Sequence, residues 1–427
     1  MNIAQQIAAL AINAVLNGRN LTLALPEALI LYPDVTPQQR ATAQDLSYGT
    51  LRYYGEVEAY LSQLLEKPLD DKRLFSLLLV AIYQLLHDKA ESFTVVNQAV
   101  SAAAQFKKPI TKPWAKGLVN GVLRNFLRQQ ADLKSTLAAN EVAQYSYPIW
   151  WINKLKAQYP VDWKGILEAG NQHPPMTLRI NKRATDAEKY QKQLLELGYA
   201  SEILSDTAVM LDKPLPVEHL LGFSQGEVSV QDLGAQYVAE LLDLKADQHV
   251  LDACCAPGGK TGHILEVADV HLVALDNDEQ RLGRVASNLR RLNLQAHLLV
   301  GDAVKMTEWV HGDENDGLLF DRILADVPCT ASGIVRRHVD IKWLRREADI
   351  ASFSRQQAAI LANLWQCLAK KGKLLYVTCS IFAEENQQQI ASFLEKTPDA
   401  TLLKTPYDQL LPCAKHDGFF YALLQKN

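Results

Sequence analysis

One stretch constrains the fold more than any other: residues 248–266, which read QHVLDACCAPGGKTGHILE. They begin as a short apolar strand that ends in an acid, pass through a Gly-Gly turn and continue as a helical run from Lys260. Glycine lets the backbone approach a ligand closely, and the N–H groups at a helix N-terminus face that ligand. The spacing of its glycines and lysine matches neither a Walker A loop nor the G-x-G-x-x-G of dinucleotide-binding folds. The stretch predicts a cradle for a polar, nucleotide-like cofactor.

Acidic residues follow four successive apolar runs in this part of the chain: Asp252, Asp276, Asp302 and Asp326. The runs alternate with helical segments, a pattern typical of a doubly wound α/β domain with a parallel sheet. The carboxyl ends of such strands meet at one edge, where the ligands of these sheets bind. Asp276 follows the loop by about twenty residues, which is the spacing of an acid that binds ribose hydroxyls.

The chain divides into three predicted domains. Residues 1–142 read as a helical domain, because apolar residues recur at helical spacing and residues 75–86 are apolar nearly all round. Residues 143–228 mix short strands with one helical run, which predicts a small α+β connector. Residues 229–427 carry the alternating strands and helices of the predicted α/β domain, and their last apolar runs can form an antiparallel hairpin.

The sequence lacks the marks of a secreted or membrane protein. Its amino terminus has no basic region before an apolar core, and no run approaches about eighteen uninterrupted apolar residues. The six cysteines form no C-x-x-C pair, which argues against both a disulfide scaffold and a zinc site. We therefore expect a cytoplasmic protein that binds neither membrane nor metal, and we expect a monomer.

The formal net charge of −4 argues against a nucleic-acid partner, but the cations are clustered. No acidic residue lies between Glu91 and Asp132, and a first basic cluster occupies that span. A second basic cluster follows the Asp326 strand and includes Trp343. Clustered Lys and Arg with an aromatic can follow a phosphate backbone, although a solvated charged face is the alternative. The first cluster is Lys107, Lys108, Lys112, Lys116, Arg124 and Arg128, and the second is Arg336, Arg337, His338, Lys342, Arg345 and Arg346.

Two cysteines, Cys329 in ADVPCTASG and Cys379 in LLYVTCSIF, end two predicted strands beside the cofactor loop. A thiol is a good nucleophile only as a thiolate, so cations or polar groups must activate it, and the second basic cluster is the predicted source. A cofactor cradle, an acid and two thiols suit methylation of cytosine at ring carbon 5. A thiolate adds to carbon 6, an acid such as Asp326 bonds ring nitrogen 3, and a second group helps the covalent intermediate collapse.

These motifs closely resemble those of the RNA 5-methylcytosine methyltransferases that use S-adenosylmethionine. The likeness is carried by LDACCAPGGKT, ALDNDEQR, GDA, DVPCTASG, RRHVDIKW and YVTCS, and GTLRYYGEVEAYL and KGLVNGVLRNFL are similar to a NusB-like domain. The resemblance implies an all-α NusB-like amino-terminal domain, a small α+β connector and a carboxyl-terminal Rossmann-like class I methyltransferase domain. It also implies S-adenosylmethionine as the cofactor and 16S ribosomal RNA as the partner.

The resemblance further implies roles for individual residues. Cys379 in T-C-S would be the nucleophile, and Cys329 in P-C would help release the methylated RNA. Cys255 stands where the family usually has alanine, and we expect it to be a small packed side chain. The residues expected to contact S-adenosylmethionine or the target base are Cys254, Cys255, Ala256, Pro257, Gly258, Gly259, Lys260, Asp276, Asp302 and Asp326.

Two other functions fit the same residues. A transfer RNA cytosine methyltransferase would share every catalytic motif, and the NusB-like domain favours ribosomal RNA only by analogy. A non-catalytic RNA-binding factor is the second alternative, against which the two cysteines and the four strand-end acids count. Geometry alone also leaves the nucleophile open, because in DNA cytosine methyltransferases the cysteine of the P-C motif attacks.

Overall fold

The structure, a computed structural model, describes residues 2–87, 90–106, 114–305 and 319–427. The chain divides into two compact units. The helical unit contains Met1–Gln172 and Val335–Glu347, and the sheet unit contains His173–Ile334 and Ala348–Asn427. The boundaries of the three predicted domains stay a prediction.

Helices come first along the chain and later alternate with strands. The described helices are α1 (Asn2–Leu16), α2 (Leu21–Ile30), α3 (Pro37–Arg52), α4 (Tyr54–Leu64), α5 (Lys72–His87), α6 (Ser92–Ala104), α7 (Trp114–Leu137), α8 (Glu141–Tyr145), α9 (Ile149–Gln158), α10 (Trp163–Asn171), α11 (Ala187–Glu196), α12 (Leu233–Leu241), α13 (Gly259–Val267), α14 (Glu279–Leu292), α15 (Ile341–Leu344), α16 (Glu347–Gln366) and α17 (Gln387–Lys396). The described strands are β1 (Met176–Ile180), β2 (Ser201–Ser205), β3 (Ala208–Leu211), β4 (Val228–Val230), β5 (His249–Ala253), β6 (His271–Asp276), β7 (His297–Val300), β8 (Phe320–Asp326), β9 (Leu368–Thr378), β10 (Ala400–Leu403), β11 (Gln409–Leu410) and β12 (Phe419–Lys426).

The helical unit is built around α5, whose residues 77–82 are completely buried. Helices α1, α3, α4, α6 and α7 all pack against it. A buried polar pair joins α1 to α5, because Gln5 Nε2 donates to Gln84 Oε1 at 2.7 Å. A helix that is apolar nearly all round has no face suited to water, which explains its central place. The apolar helix predicted at residues 75–86 is confirmed.

The segment Val335–Glu347, which carries the second basic cluster, belongs to the helical unit. Lys342 is completely buried there, and its Nζ donates to Arg52 O and to Asn171 Oδ1, both at 2.7 Å. Arg336 is also buried, and its carbonyl oxygen accepts from Arg52 Nη2 at 3.0 Å. Burial lowers the pKa of Lys342 well below its usual range. Buried cations cannot follow a phosphate backbone, so the predicted RNA contact is wrong for these two residues.

The sheet unit begins with a small antiparallel sheet in the order β2-β3-β1-β4, against which α11 packs through Tyr190 and Leu194. At its centre, Leu178 of β1 lies opposite Val209 of β3 and Val230 of β4. These elements form the predicted α+β connector.

The large sheet runs in the order β10-β12-β9-β8-β5-β6-β7, and β11 pairs with β12. Strands β9, β8, β5, β6 and β7 are mutually parallel, whereas β12 pairs antiparallel with β9, and β10 pairs antiparallel with β12. Apolar clusters cover both faces, which is what a parallel core requires. The predicted fold class, including the antiparallel hairpin of the carboxyl-terminal runs, is confirmed.

Strand register brings the carboxyl ends to one edge. Ala253 of β5 lies opposite Leu275 of β6, and Asp326 of β8 lies opposite Val377 of β9. The residues that follow these strands therefore lie side by side. Within the described ranges, no helix is long and apolar enough to cross a membrane. No group of three or more His, Cys, Asp or Glu side chains able to hold a metal ion occurs in those ranges either.

Candidate active site

The loop between β5 and α13 departs from ordinary backbone conformation at both of its ends. Cys254 has φ of 59° and Gly258 has φ of 94°. A Cβ at position 258 would lie 3.0 Å from Val285 Cγ1, so both the conformation and the space require glycine there. Cys255 N donates to Leu275 O at 2.9 Å, which ties the loop to β6. The glycine predicted from the sequence is thus needed to fold the cradle itself.

Asp276, at the end of β6, anchors the same loop. The residue is 2% exposed, and its Oδ2 accepts from Ala256 N at 3.1 Å. Its Oδ1 accepts from Arg281 Nη1 at 3.3 Å, and Arg281 Nη2 donates to Ala256 O at 2.9 Å. Arg281 was not among the predicted site residues. Its position in the run ALDNDEQR, one and a half turns beyond the strand-end acid, is the signal that could have indicated it.

A cleft opens at this edge of the sheet beside the loop. Cys254, Asp276 and Asp302 line it with Arg281, and apolar residues such as Pro328 complete the wall. Three of the predicted cofactor residues therefore share one cleft. A larger cavity elsewhere in the sheet unit is lined by other residues and includes none of the predicted site residues.

Lys260, in the first turn of α13, pairs with the acid at the end of β8. Its Nζ lies 2.7 Å from Asp326 Oδ2. Burial disfavours the charged amine, but the Asp326 carboxylate outweighs it and raises the pKa of Lys260, with a smaller contribution from Cys379. The first turn of α13 thus places a cation near Cys379, whereas the sequence had indicated the second basic cluster as the source of such a charge.

Asp252, the first of the strand-end acids, is completely buried. Its Oδ2 accepts from Thr261 Oγ1 at 2.7 Å. Burial raises the pKa of Asp252 to about 7, the bond from Thr261 acts in the opposite direction, and the nearby charge of Asp326 adds to the rise. Asp252 therefore bonds the first turn of α13 and changes its protonation near neutral pH.

The two strand-end cysteines lie together, with Cys329 Sγ 3.4 Å from Cys379 Sγ. Cys329 is buried, and Cys379 is partly exposed. The hydrogen bond to Cys379, followed by burial, raises the pKa of Cys329 well above its usual range. Cys329 therefore keeps its proton and can donate to its neighbour.

The remaining predicted loop residues are placed as follows. Cys255 and Ala256 are buried in the apolar cluster beneath the loop, and burial raises the pKa of Cys255 far above its usual value. Pro257 is exposed. The small packed thiol expected at position 255 matches this placement, and the structure puts its side chain into the core rather than into the cleft.

The first basic cluster is described only in part. Lys116, Arg124 and Arg128 are exposed on α7. Their spacing by eight and four residues places them along one side of that helix. Lys107, Lys108 and Lys112 lie outside the described residues.

Three family models match consecutive parts of the chain. The NusB family matches residues 2–128, the RsmF/B-like ferredoxin-like domain matches residues 147–218, and the 16S rRNA methyltransferase RsmB/F family matches residues 239–425. Ribosomal RNA small subunit methyltransferase B of Yersinia pestis bv. Antiqua (strain Angola) is 43% identical over 435 aligned positions, which cover 99% of this chain and 98% of the relative. The protein of that name from Yersinia pseudotuberculosis serotype O:1b (strain IP 31758) has the same identity and coverage.

The chain belongs to the ribosomal RNA small subunit methyltransferase B family. Solved structures agree with this assignment in fold. The crystal structure of PH0851 is similar with a TM-score of 0.81 and 25% identity, covering 100% of this chain and 99% of that chain. A methyltransferase homologue from Pyrococcus horikoshii is similar with a TM-score of 0.59 and 25% identity. That match covers 67% of this chain and 97% of the homologue. The resemblance identified from the motifs is therefore confirmed.

Proposed function

We propose that this protein transfers a methyl group from S-adenosylmethionine to ring carbon 5 of a cytidine in 16S ribosomal RNA, acting in the cytoplasm. Membership of a family whose relatives are named for the small ribosomal subunit RNA supports the substrate. The observation that carries the chemistry is the pair of thiols, Cys329 and Cys379, 3.4 Å apart at the carboxyl ends of adjacent strands.

The cleft beside Cys254 fits the proposed cofactor. A nucleoside needs an apolar wall for its base and an acid for its ribose hydroxyls, and the cleft offers Pro328 for the first and Asp276 for the second. When bound, S-adenosylmethionine supplies an electrophilic methyl group. The residues proposed to hold the cofactor are Cys254, Cys255, Ala256, Pro257, Gly258, Gly259, Lys260, Asp276, Asp302 and Asp326, with Cys255 acting through the shape of the loop.

Cys379 is the proposed nucleophile. Its sulfur forms a bond to carbon 6 of the cytosine, the 5,6 double bond opens, and carbon 5 gains the electron density that it needs to accept a methyl group. Asp326 is proposed to bond ring nitrogen 3, which withdraws charge from the ring as the thiolate adds. Such a bond needs a proton on the Asp326 carboxyl group, and the neighbouring proton carrier is the amine of Lys260, whose Nζ lies 2.7 Å from Asp326 Oδ2.

Cys329 is proposed to act in the second half of the reaction. After transfer, carbon 5 carries both the methyl group and a proton. A base accepts that proton as the bond between carbon 6 and Cys379 Sγ breaks, and Cys329, which holds its own proton, donates a hydrogen bond to the departing sulfur. The C5=C6 double bond then re-forms and frees the RNA. Cys329 lies 3.4 Å from Cys379, which supports its role at this step.

The roles of the thiols can be tested by denaturing electrophoresis with substrate RNA and S-adenosylmethionine. Cys379→Ala should be inactive and form no covalent complex, whereas Cys329→Ala should transfer the methyl group and then remain attached to the RNA. Cys413→Ala, which changes an exposed thiol, is the control and should match the unmodified protein. An adduct from Cys379→Ala and none from Cys329→Ala would reverse the two roles.

The substrate requires a separate experiment. Sequencing for 5-methylcytosine at base resolution, with and without the gene, should show one cytidine of 16S ribosomal RNA that loses its modification. Loss confined to a transfer RNA would instead establish the first alternative function. No change in any RNA, together with no methyl transfer in vitro, would leave only a non-catalytic RNA-binding role.

A further inference from the structure

Glu385 lies in the loop after β9 and is completely buried. Its Oε1 accepts from Thr330 N at 2.9 Å, and its Oε2 accepts from the hydroxyl groups of both Thr330 and Ser380. Thr330 directly follows Cys329, and Ser380 directly follows Cys379. One carboxylate therefore bonds the residue next to each of the two thiols.

Other hydrogen bonds strengthen the same connection. Gln357 Nε2, on α16, donates both to Glu385 Oε1 at 3.0 Å and to Pro328 O at 2.9 Å. Pro328 is the residue before Cys329, so the loop is held on both sides of that thiol. Gly333 N also donates to the carbonyl oxygen of Cys379 at 2.9 Å. The two cysteine loops are thus joined to each other through several bonds. Glu385 accepts two of them, both from Thr330, and the hydroxyl of Ser380 lies 3.2 Å from that of Thr330 and 3.0 Å from that of Ser332.

A carboxylate in this place is costly for the fold. Burial raises the pKa of Glu385, and the bonds from Ser380, Thr330 and Gln357 act in the opposite direction. Burying an acid destabilises the folded state unless hydrogen-bond donors surround the carboxylate. An apolar side chain would fill the same space without that loss of free energy. The donors that compensate here come from the two cysteine loops and from the helix beside them, which links the acid to the geometry of the thiols.

We propose that Glu385 is a positioning residue that sets the distance between Cys329 and Cys379. The inference rests on the proposed function, in which Cys329 must reach a cytosine ring that is bonded to Cys379. A displacement of about 1 Å at a reacting group can cost roughly a hundredfold in rate. Holding both loops through one rigid carboxylate keeps that displacement small.

The chemistry of the donors predicts a graded series of variants. Glu385→Ala removes one acceptor from each of Thr330 N, the two hydroxyls and Gln357 Nε2. The hydroxyls keep their contacts with each other and with Ser332, and Gln357 keeps its bond to Pro328 O. Glu385→Gln retains an oxygen for the two N–H donors, and its amide N–H groups can donate to the hydroxyls, which rotate and become acceptors. Glu385→Gln should therefore restore much of what Glu385→Ala loses.

The distance between the thiols can be measured without RNA. Diamide removes two electrons and two protons from a thiol pair and is itself reduced, and the two sulfurs form a bond of about 2.05 Å. The Cys329–Cys379 disulfide, identified by peptide mass, should form at least about tenfold more slowly in Glu385→Ala, and at an intermediate rate in Glu385→Gln. Arg322→Met is the control, because it removes a buried side chain bonded to Leu242 O, at the opposite end of β8.

Arg322→Met should lower stability while leaving the rate of disulfide formation unchanged. In Glu385→Ala, release of the RNA adduct should slow together with disulfide formation, whereas the affinity for S-adenosylmethionine should stay within about twofold. Disulfide formation at the unmodified rate in Glu385→Ala, or a slowing no greater than that of Arg322→Met, would overturn the inference. If Cys329→Ala never forms an RNA adduct, the proposed function fails, and the disulfide rates of the unmodified protein and the Glu385 variants still test Glu385.

Discussion

Arg179 of β1 bonds helix α13 near both of its ends. Its Nε and Nη2 donate to the two carboxylate oxygens of Glu266 at 2.8 and 2.7 Å. Its Nη1 donates to Gly259 O at 2.7 Å, at the first residue of the helix, and to Gln231 Oε1 at 2.6 Å. The side chains of Arg179 and Glu266 are 0% and 3% exposed, so the pair is almost dry. The small sheet is thus connected to the cofactor loop by one buried ion pair.

The substitution Arg179→Met keeps the length of the side chain and removes its charge. Glu266 would then be a buried carboxylate with no cation, a change that costs about 3–5 kcal/mol. For a unit of this size, 1 kcal/mol corresponds to a fall in melting temperature of about 2–4 °C, so the expected fall is roughly 6–20 °C. Adding Glu266→Leu removes the stranded charge and should recover most of the loss, because replacing both partners of a buried pair by apolar groups is often neutral.

Scanning calorimetry of the full chain measures these differences. Lys182→Met is the matched control, because the ion pair of Lys182 with Asp206 spans 3.2 Å but has side chains that are 54% and 89% exposed. Its loss should leave the melting temperature nearly unchanged, since solvent screens exposed pairs. A fall below about 2 °C for Arg179→Met, or a double variant less stable than the single one, would refute the reasoning.

Three further predictions concern the cleft, the basic helix and pH. Asp276→Ala should weaken S-adenosylmethionine binding about tenfold or more by calorimetry, because the ribose hydroxyls lose their acceptor, and unchanged affinity would contradict the assignment. Replacing Lys116, Arg124 and Arg128 by Gln should reduce the slope of log affinity for RNA against log salt by up to about 3, whereas a constant slope would mean that they form only a solvated face. Burial raises the pKa of Asp252 from 3.8 to about 7, so the folded chain binds this proton more tightly than the unfolded chain, and stability should fall between about pH 4 and pH 7. The loss amounts to at most about 4 kcal/mol of unfolding free energy at pH 8, and Asp252→Asn should abolish it. Melting curves identical to those of the unmodified protein at every pH would exclude the effect.

Local pattern was enough to predict much of the sheet unit. Each parallel strand is a short apolar run followed by a polar residue, and topology brings the ends of such runs to one edge. Asp276 and Asp302 could therefore be assigned to one cleft without knowledge of any contact. Arg281 was missed, because an exposed face of an amphipathic helix is expected to carry arginine, and its spacing from the strand-end acid was the one signal that this arginine bonds the loop between β5 and α13.

The second basic cluster shows where local pattern was insufficient. Its cations look like a surface for phosphate, yet Lys342 bonds the carbonyl oxygen of Arg52, which lies 290 residues earlier in the chain. The loss of hydration of the buried lysine is compensated there, because Asn171 Oδ1 supplies a second acceptor and the centroid of the Tyr147 ring lies 4.3 Å from Lys342 Nζ. Partners so distant in sequence leave no periodic signal, so burial of the cation could not be predicted.

The distance between the two thiols leads to a final prediction about their protonation. Two thiolates 3.4 Å apart would repel strongly, so at neutral pH the pair carries at most one negative charge. The hydrogen bond to Cys379 is the largest of the effects that raise the pKa of Cys329, followed by burial, so Cys329 should resist alkylation by iodoacetamide at pH values where Cys379 reacts. Removing the partner removes that largest effect: in Cys379→Ala, alkylation of Cys329, followed by peptide mass, should shift to lower pH. An unchanged pH profile for Cys329 in that variant would mean that burial alone sets its pKa, and the assignment of nucleophile and proton holder would then lose its electrostatic basis.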